Sequence, residues 1–328
     1  MLVAYDRSGV GLQRREAADA AATDATVWLD LLNPTSEEEK LVEKTLGIDI
    51  PTREELQEIE ASSRLYQEDG AHFMTATLLI QIDAPRPVST TVTFILAGSR
   101  LVTVRYAEPY SFQMFASRAM RAQIDCTSAT ATLVGLLEII IDRHADAIER
   151  IQTETDRLSH QVFAQDPRGK ATRSSRRFDE ILHGIGREGD IASRAREAML
   201  SLNRLLTYLA HLTQSANAKD ERSIRARIKT AQRDVASLSD HLTSVGNQIT
   251  FLLDAVLGMI SIEQNAIIKF FSVMAVVFMP PTLIASIYGM NFKHMPELDW
   301  VLGYPMAIGL MVLAAVLPWV WFRFRGWL

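Results

Sequence analysis

The sequence holds a single cysteine, Cys126, among 328 residues. That excludes an intrachain disulfide and fits a small buried hydrophobe. The seven histidines are scattered, with no HExxH and no Cys/His pair at zinc spacing. No phosphate loop and no nucleophile motif occurs, so an enzyme reading has little to stand on. A basic excess is lacking as well. Acidic and basic side chains are mixed to a formal net charge of −5, which speaks against a nucleic-acid binder. The opening MLVAYDRSGV has neither the charged start nor the long apolar run of a secretory leader. The polar part of the chain is therefore expected to stay in the cytoplasm. At this length the chain has room for two domains.

Charge itself is missing from two stretches. Residues 270–292, FFSVMAVVFMPPTLIASIYGMNF, are 23 positions with no charged side chain. At about 1.5 Å per residue they reach about 34 Å, enough for a bilayer core of about 30 Å. Residues 303–322 form the second uncharged run. Everything before Asn265 reads as soluble. Lys269 flanks the first run, Arg323 and Arg325 follow the second, and the loop between sets one lysine against Glu297 and Asp299. The positive-inside rule then places both termini inside and the loop outside.

What is present before the spans changes character along the chain. Residues 1–125 read as an α/β domain. Residues 27–32, 73–82, 91–96 and 101–105 are apolar, β-branched or aromatic runs bounded by turn residues, and the last two predict a hairpin. Thr35 or Ser36 before Glu37, Glu38 and Glu39 predicts a capped helix start, and Thr52 before Glu54 and Glu55 repeats the pattern. Residues 126–219 predict long helices, one over 130–163 and one over 170–214, with a turn at Asp166-Pro167-Arg168-Gly169. A third begins near Asp220. Val235, Leu238, Leu242, Val245, Ile249, Leu252, Val256 and Met259 step along it by three and four, a heptad seam that calls for helix packing. No Gly- or Pro-rich break separates this seam from the first span. Residues 220–292 are expected to be a stalk helix of about 100 Å continuing into the membrane. An outer loop at 293–302, a second span at 303–322 and a basic tail at 323–328 complete the chain.

Several features have a plain structural reading beside a functional one. Gly184-Ile185-Gly186-Arg187-Glu188-Gly189 matches GxGxxG. Its surroundings are helical, which favours close helix packing over dinucleotide binding. Arg173, Arg176 and Arg177 read as a solvated helix face, and His294 as a solvated loop histidine that an arriving ion can touch.

The tetrapeptide Tyr288-Gly289-Met290-Asn291, followed by Phe292, Lys293-His294 and Met295-Pro296-Glu297-Leu298, resembles the CorA family of magnesium transporters. Trp300 and Gly303-Tyr304-Pro305 are similar to that family's loop, and PTREELQEIEASSRLY, residues 51–66, to its soluble domain. The resemblance implies an α/β cytoplasmic domain, a long helical stalk and two C-terminal transmembrane helices, assembled as a funnel-like homopentamer in a bacterial inner membrane. It implies Mg2+ as cargo and as regulatory ion, with Co2+ and Ni2+ as further candidates, and no organic cofactor. Gly289, Met290 and Asn291 become the ion filter, with Asn291 repeated as a ring of five. Ser286, Thr282, Met279, Ala275, Phe271 and Ile268, on one helical face, become the pore lining, and Asn265 and Asp254 polar positions at its cytoplasmic mouth. Glu297 and Asp299 fall in the outer loop.

The chemistry of these residues suits the assignment. Magnesium holds its water tightly. A neutral amide accepts from that water without trapping a dication, and a narrow apolar ring resists wetting and can gate. Ser286 and Thr282 put hydroxyls outermost on the face, and Met279, Phe271 and Ile268 put apolar surface below. Ser286 departs from relatives that carry Gly there. Each residue keeps its alternative. Asn291 can simply cap the helix, with Gly289 easing the bend. Met279 and Phe271 can face lipid, and Asp254 can be a solvated stalk carboxylate. Pro280-Pro281 is expected to loosen the helix and free carbonyls near Met279. The rival readings are a zinc or other divalent cation transporter on the same scaffold, and a non-conducting membrane-anchored helical scaffold.

Overall fold

The computed structural model describes residues 1–9, 11–16, 22–57, 64–82, 84, 87–163, 174–213, 219–291, 295–296 and 300–326. The chain divides into two compact units, Met1–Leu253 and Asp254–Leu328.

The first unit is built on a seven-stranded sheet. Strands β1 (Leu2–Ser8), β2 (Gly11–Glu16), β3 (Thr26–Leu32), β4 (Leu65–Glu68), β5 (Ala71–Ile80), β6 (Val88–Ala97) and β7 (Arg100–Arg105) lie in the order β2-β1-β3-β7-β6-β5-β4. Among the described residues only β3 and β7 pair in parallel, Trp28 opposite Leu101 through Leu32 opposite Arg105. The expected hairpin is β6–β7, antiparallel with Ala97 opposite Arg100. Its turn holds Gly98 at φ 58°, in the left-handed region that glycine enters without a steric penalty. The central strands are buried almost end to end, as in the TVWLDLL of β3. Helices cover both faces, so the usual alternation of apolar and polar residues is lost.

On one face, helix α1 (Ser36–Leu46) sets Val42 into a cluster with Leu2, Leu29, Leu31, Phe73, Ile95 and Val102. Thr35 is the cap: its side chain accepts from the Glu38 N–H, and Glu38 accepts from the Thr35 N–H, a reciprocal box that satisfies two free donors. Thr52 and Glu55 form a similar pair, but only the 3-10 turn Glu55–Gln57 follows. On the other face lie α2 (Tyr110–Met120), α3 (Ala129–Phe163) and α4 (Ser174–Leu212). Trp28 stacks on Tyr5 and meets the edge of Phe115 there.

The buried polar groups around Asp30 are paired. Asp30 takes two bonds from Arg105, at 2.9 and 2.7 Å, and one from Thr103, which in turn accepts from the Trp28 indole. Arg105 also lies over the Phe112 ring. His144 of α3 is buried, with one ring nitrogen 2.7 Å from the Ile140 carbonyl and the other accepting from the Leu79 N–H at 2.9 Å. Burial pushes its pKa down to about 4.

The last two helices are α5 (Lys219–Tyr288), 70 residues without a break, and α6 (Gly303–Phe324). The heptad seam on α5 is buried at Val235, Leu242, Val245, Ile249, Leu252 and Val256 within the single chain. Arg227 of α5 grips Glu138 of α3 with two bonds, and Gln248 donates to Asp156. The GxGxxG match lies inside α4, where a Cβ on Gly184 would stand 2.8 Å from Leu158 of α3. Gly184 is thus a packing residue inside a helix. Arg173 lies outside the described residues, as do the side chains of Arg176 and Arg177.

Candidate functional site

Among the described residues, α5 and α6 alone are long and apolar enough to cross a membrane. Only 6% and 11% of their most apolar windows are buried. A soluble core helix would be mostly buried, and these apolar faces are not.

What is covered on α5 defines a direction. Val273 is buried to 5% exposure, while Val277, Pro280, Ile284 and Tyr288 are half-buried. These five residues step by four, three, four and four along one side. Val276, next to them, shares an apolar crevice with Leu317, Trp321 and Phe322 of α6. On α6 itself Gly303, Ala307 and Phe322 are buried. One side of α5 is therefore given to α6.

The pore-lining candidates lie on the other side. Phe271, Ala275, Met279, Thr282 and Ser286 each stand two positions from a member of the covered stripe, and at about 100° per residue that is close to diametrically opposite. All five are exposed, as are Ile268, Asn265 and Asp254. Among the described residues Asp254 has no ion-pair partner. The large apolar ones are among the barest of the helix, with Met279 at 67%, Phe271 at 65% and Ile268 at 62% exposure. Thr282 donates its hydroxyl to the Phe278 carbonyl at 2.7 Å, within its own helix. Its oxygen lone pairs stay free to accept.

Helix α5 closes through backbone donors. The Gly289 N–H reaches the Ala285 carbonyl at 3.0 Å, and the Met290 N–H reaches Ile287 at 3.3 Å. The Asn291 side chain takes no part in this among the described residues and is exposed. Gly289 has no left-handed φ. A Cβ there would sit 3.1 Å from the Ala285 carbonyl oxygen, a tight contact that the helix end would have to ease by a few tenths of an ångström.

Pro280 and Pro281 lie inside α5, and the helix runs on through them. Each proline lacks the N–H that would bond four residues back. The carbonyls left without that donor are those of Val276 and Val277, a turn before the pair. Both lie within a turn of Met279, where freed carbonyls were expected, although the Met279 carbonyl itself faces Leu283, which is not a proline.

Glu297 and Asp299, expected in an outer loop, lie outside the described residues, with Phe292, Lys293 and His294. Among the described residues no group of three or more His, Cys, Asp or Glu side chains converges on a metal position. Sequence reasoning missed the role of two α6 side chains beyond their charge: Arg323 lies over the Trp319 ring and Arg325 over the Trp321 ring. The signal was the i,i+4 spacing of Trp and Arg, twice over.

Residues 23–323 match the model of the CorA-like Mg2+ transporter protein family. The chain is 35% identical over 329 residues to a magnesium transport protein CorA of Pectobacterium atrosepticum, with all of both chains covered. Identity to the protein of that name in Escherichia coli K12 is 34% over 328 residues, again with full coverage of both. In fold it is similar to the complete CorA magnesium transporter of Methanocaldococcus jannaschii, at TM-score 0.77 and 18% identity, over 100% of this chain and 99% of that one. The cytoplasmic domain of ZntB from Vibrio parahaemolyticus is a more distant likeness, at TM-score 0.57 and 8% identity over 79% of this chain and 97% of the other. By its family model and its full-length relatives, the chain belongs to the CorA-like Mg2+ transporter family.

Proposed function

We propose that this chain admits hydrated Mg2+ across a bacterial inner membrane as a homopentamer, with Co2+ and Ni2+ as further cargo. The observation that carries the reading is the exposed stripe from Ile268 to Ser286, set opposite the side of α5 that α6 covers. A helix buried on one side by its own partner leaves the other side for a symmetric contact around an axis. One Asn291 amide cannot encircle an ion, and five can present their carbonyl oxygens to its water shell. The Asn291 side chain is not used in closing α5, which favours that role over capping.

Below the amide ring, Ser286 and Thr282 continue the polar contact. Thr282 spends its proton on its own backbone and so offers an acceptor, which suits the hydrogens of first-shell water. Met279, Phe271 and Ile268 then form an apolar stretch that gates by dewetting. Five copies of Asp254 and Asn265 draw dications to the inner mouth. A dication moving inward through 100 mV gains about 4.6 kcal/mol, twice the value for a unit charge, so no nucleotide is required. Internal Mg2+ favours closure, making the channel a feedback valve.

The test is Mg2+ uptake into proteoliposomes holding an internal magnesium dye under an inside-negative potential. Wild-type flux should collapse in Asn291→Ala while the oligomer stays intact by size-exclusion chromatography. Equal flux in both would remove Asn291 from the filter. Passage of Zn2+ without Mg2+ would turn the reading to a zinc carrier, and no dication flux at all to a scaffold.

A further inference from the structure

The first unit holds a groove that ion conduction does not use. It lies between α3 and α4, with Pro87 and Val88 at the start of β6 in its wall, and measures about 1280 Å3. Pockets that take small ligands span about 300–1,000 Å3, so a large one fits here. Three arginines line the groove, Arg157 of α3 and Arg187 and Arg194 of α4. Each is held by one bond through Nε: Arg157 to Glu154 at 2.8 Å, Arg187 to Glu188 at 3.1 Å and Arg194 to Asp190 at 3.0 Å. The terminal nitrogens of all three have no partner among the described residues. A guanidinium fixed in this way keeps its outer edge for an anion. Glu188 is 4% exposed and lines a smaller cavity of about 220 Å3 that shares Arg157, Arg187 and Ile191 with the groove. Burial raises its carboxyl against the pull of Arg187, the kind of perturbed group that marks a binding cleft.

The GxGxxG run adds a separate observation. Gly184 is required by Leu158, but a Cβ on Gly186 would meet no atom within 4 Å. Glycine inside a helix is unfavourable relative to alanine, and packing does not account for this one. It leaves the groove wall beside Arg187 bare. Further along, Leu158, Ile181 and Ile191 give the groove apolar surface, and Glu180, two turns before Arg187, takes no bond among the described residues. Its oxygens can accept from hydroxyl groups.

We propose that this groove binds a nucleoside polyphosphate, with its phosphates along Arg157, Arg187 and Arg194 and its sugar hydroxyls at Glu180. Arg187 and Arg194 lie on one side of α4, about 10 Å apart along its axis. Cations at that spacing match phosphates in series better than a single anionic group. Glu180 repels a ligand that is anionic at both ends and accepts one that ends in hydroxyls. The carboxylates at Nε order the arginines in advance, so less rotamer entropy is lost on binding. The site lies wholly in the first unit and stands apart from the membrane spans and the ion path.

The experiment is isothermal titration calorimetry of the full chain in detergent, with ATP, inorganic pyrophosphate and inorganic phosphate in a magnesium-free buffer holding EDTA. Wild type should bind ATP more tightly than either inorganic anion. Arg157→Gln/Arg194→Gln removes two arginines whose partners, Glu154 and Asp190, stay in contact with water, and leaves the buried Glu188 its Arg187. A charge-assisted bond is worth about tenfold in affinity, so the pair should weaken ATP by about 100-fold. Gly186→Leu, which adds bulk to the groove without changing its charge, should weaken ATP by about tenfold or more. Glu180→Gln should weaken ATP and leave pyrophosphate unchanged. Amide exchange of β5 and β6 at the wild-type rate shows that each variant is folded. No saturable binding of ATP to wild type, or affinity unchanged by the double substitution or by Gly186→Leu, overturns the proposal. Pyrophosphate or phosphate binding as tightly as ATP, or Glu180→Gln weakening neither ligand, overturns it in favour of an adventitious ion only.

Discussion

The two units solve the burial of apolar side chains in opposite ways. In Met1–Leu253 the large side chains close on one another, and Trp28, Phe73, Phe94, Phe112 and Phe115 are all but inaccessible. In Asp254–Leu328 the side chains of Phe271, Phe278, Met279, Leu313 and Phe324 stand open. Polar groups follow the same division. The first unit buries an ion pair, Asp30 with Arg105, and satisfies each partner, whereas polar Asn265, Ser286 and Asn291 of the second are left facing outward. The first unit is thus a fold complete in one chain. The second leaves much of its apolar surface uncovered within one chain.

That contrast can be broken at several points. The largest effect is expected from Arg105→Met, which strands the buried Asp30 carboxylate. Loss of one partner of a buried pair costs about 3–5 kcal/mol. Amide hydrogen exchange of β3 and β7 in the detergent-solubilised full chain should accelerate accordingly, and protection equal to wild type would show that the pair is dispensable. A charge on the open side of α6 should act on the other unit only. Leu313→Arg places a cation at the middle of the helix, which costs about 2.5–3.5 kcal/mol of membrane insertion. A glycosylation-site insertion assay should show the deficit, with β3 and β7 exchange unchanged.

The smallest effect is a pH slope confined to the first unit. His144 is held neutral, with its pKa lowered to about 4 by burial. The unfolded chain, near the ordinary value of about 6.5, binds the extra proton first. Stability is therefore full above that value and falls as pH drops toward 4. Between pH 6.5 and 5.5 the loss is about 1 kcal/mol. Urea midpoints of wild type and His144→Gln should diverge over that range, and parallel midpoints would contradict the buried neutral imidazole.

Much of this division was legible in the residues. The uncharged runs gave both long apolar helices, and the three-four steps from Val235 to Met259 gave a seam that is buried in α5. The interior strands β3, β5, β6 and β7 announced themselves as apolar runs. The edge strands did not: β2 reads GLQRRE with Leu12 its only buried residue, and β4 is the four-residue LYQE. Edge strands are kept short and polar because a flat apolar edge invites pairing with other chains. Strand β1, with Leu2, Val3, Ala4 and Tyr5 buried, carried a signal that went unread at the start of the chain. Helical spacing put the candidates from Ile268 to Ser286 on one face. It could not say which face α6 would cover, since every side of that helix is apolar. The covered stripe at Val273 comes from the packing alone.

The central claim is that the side of α5 opposite that stripe faces the ion. Cysteines placed singly at Ala275, Met279, Thr282 and Ser286, and at Val273, Val277 and Ile284, would be treated with a charged thiol reagent during Mg2+ uptake. Native Cys126 can stay, because burial pushes its thiol up to about 11 and leaves little reactive thiolate. Modification should block flux at the first four positions and leave it near the untreated level at the last three. Block spread evenly over both sets, or confined to the Val273 stripe, would contradict the account.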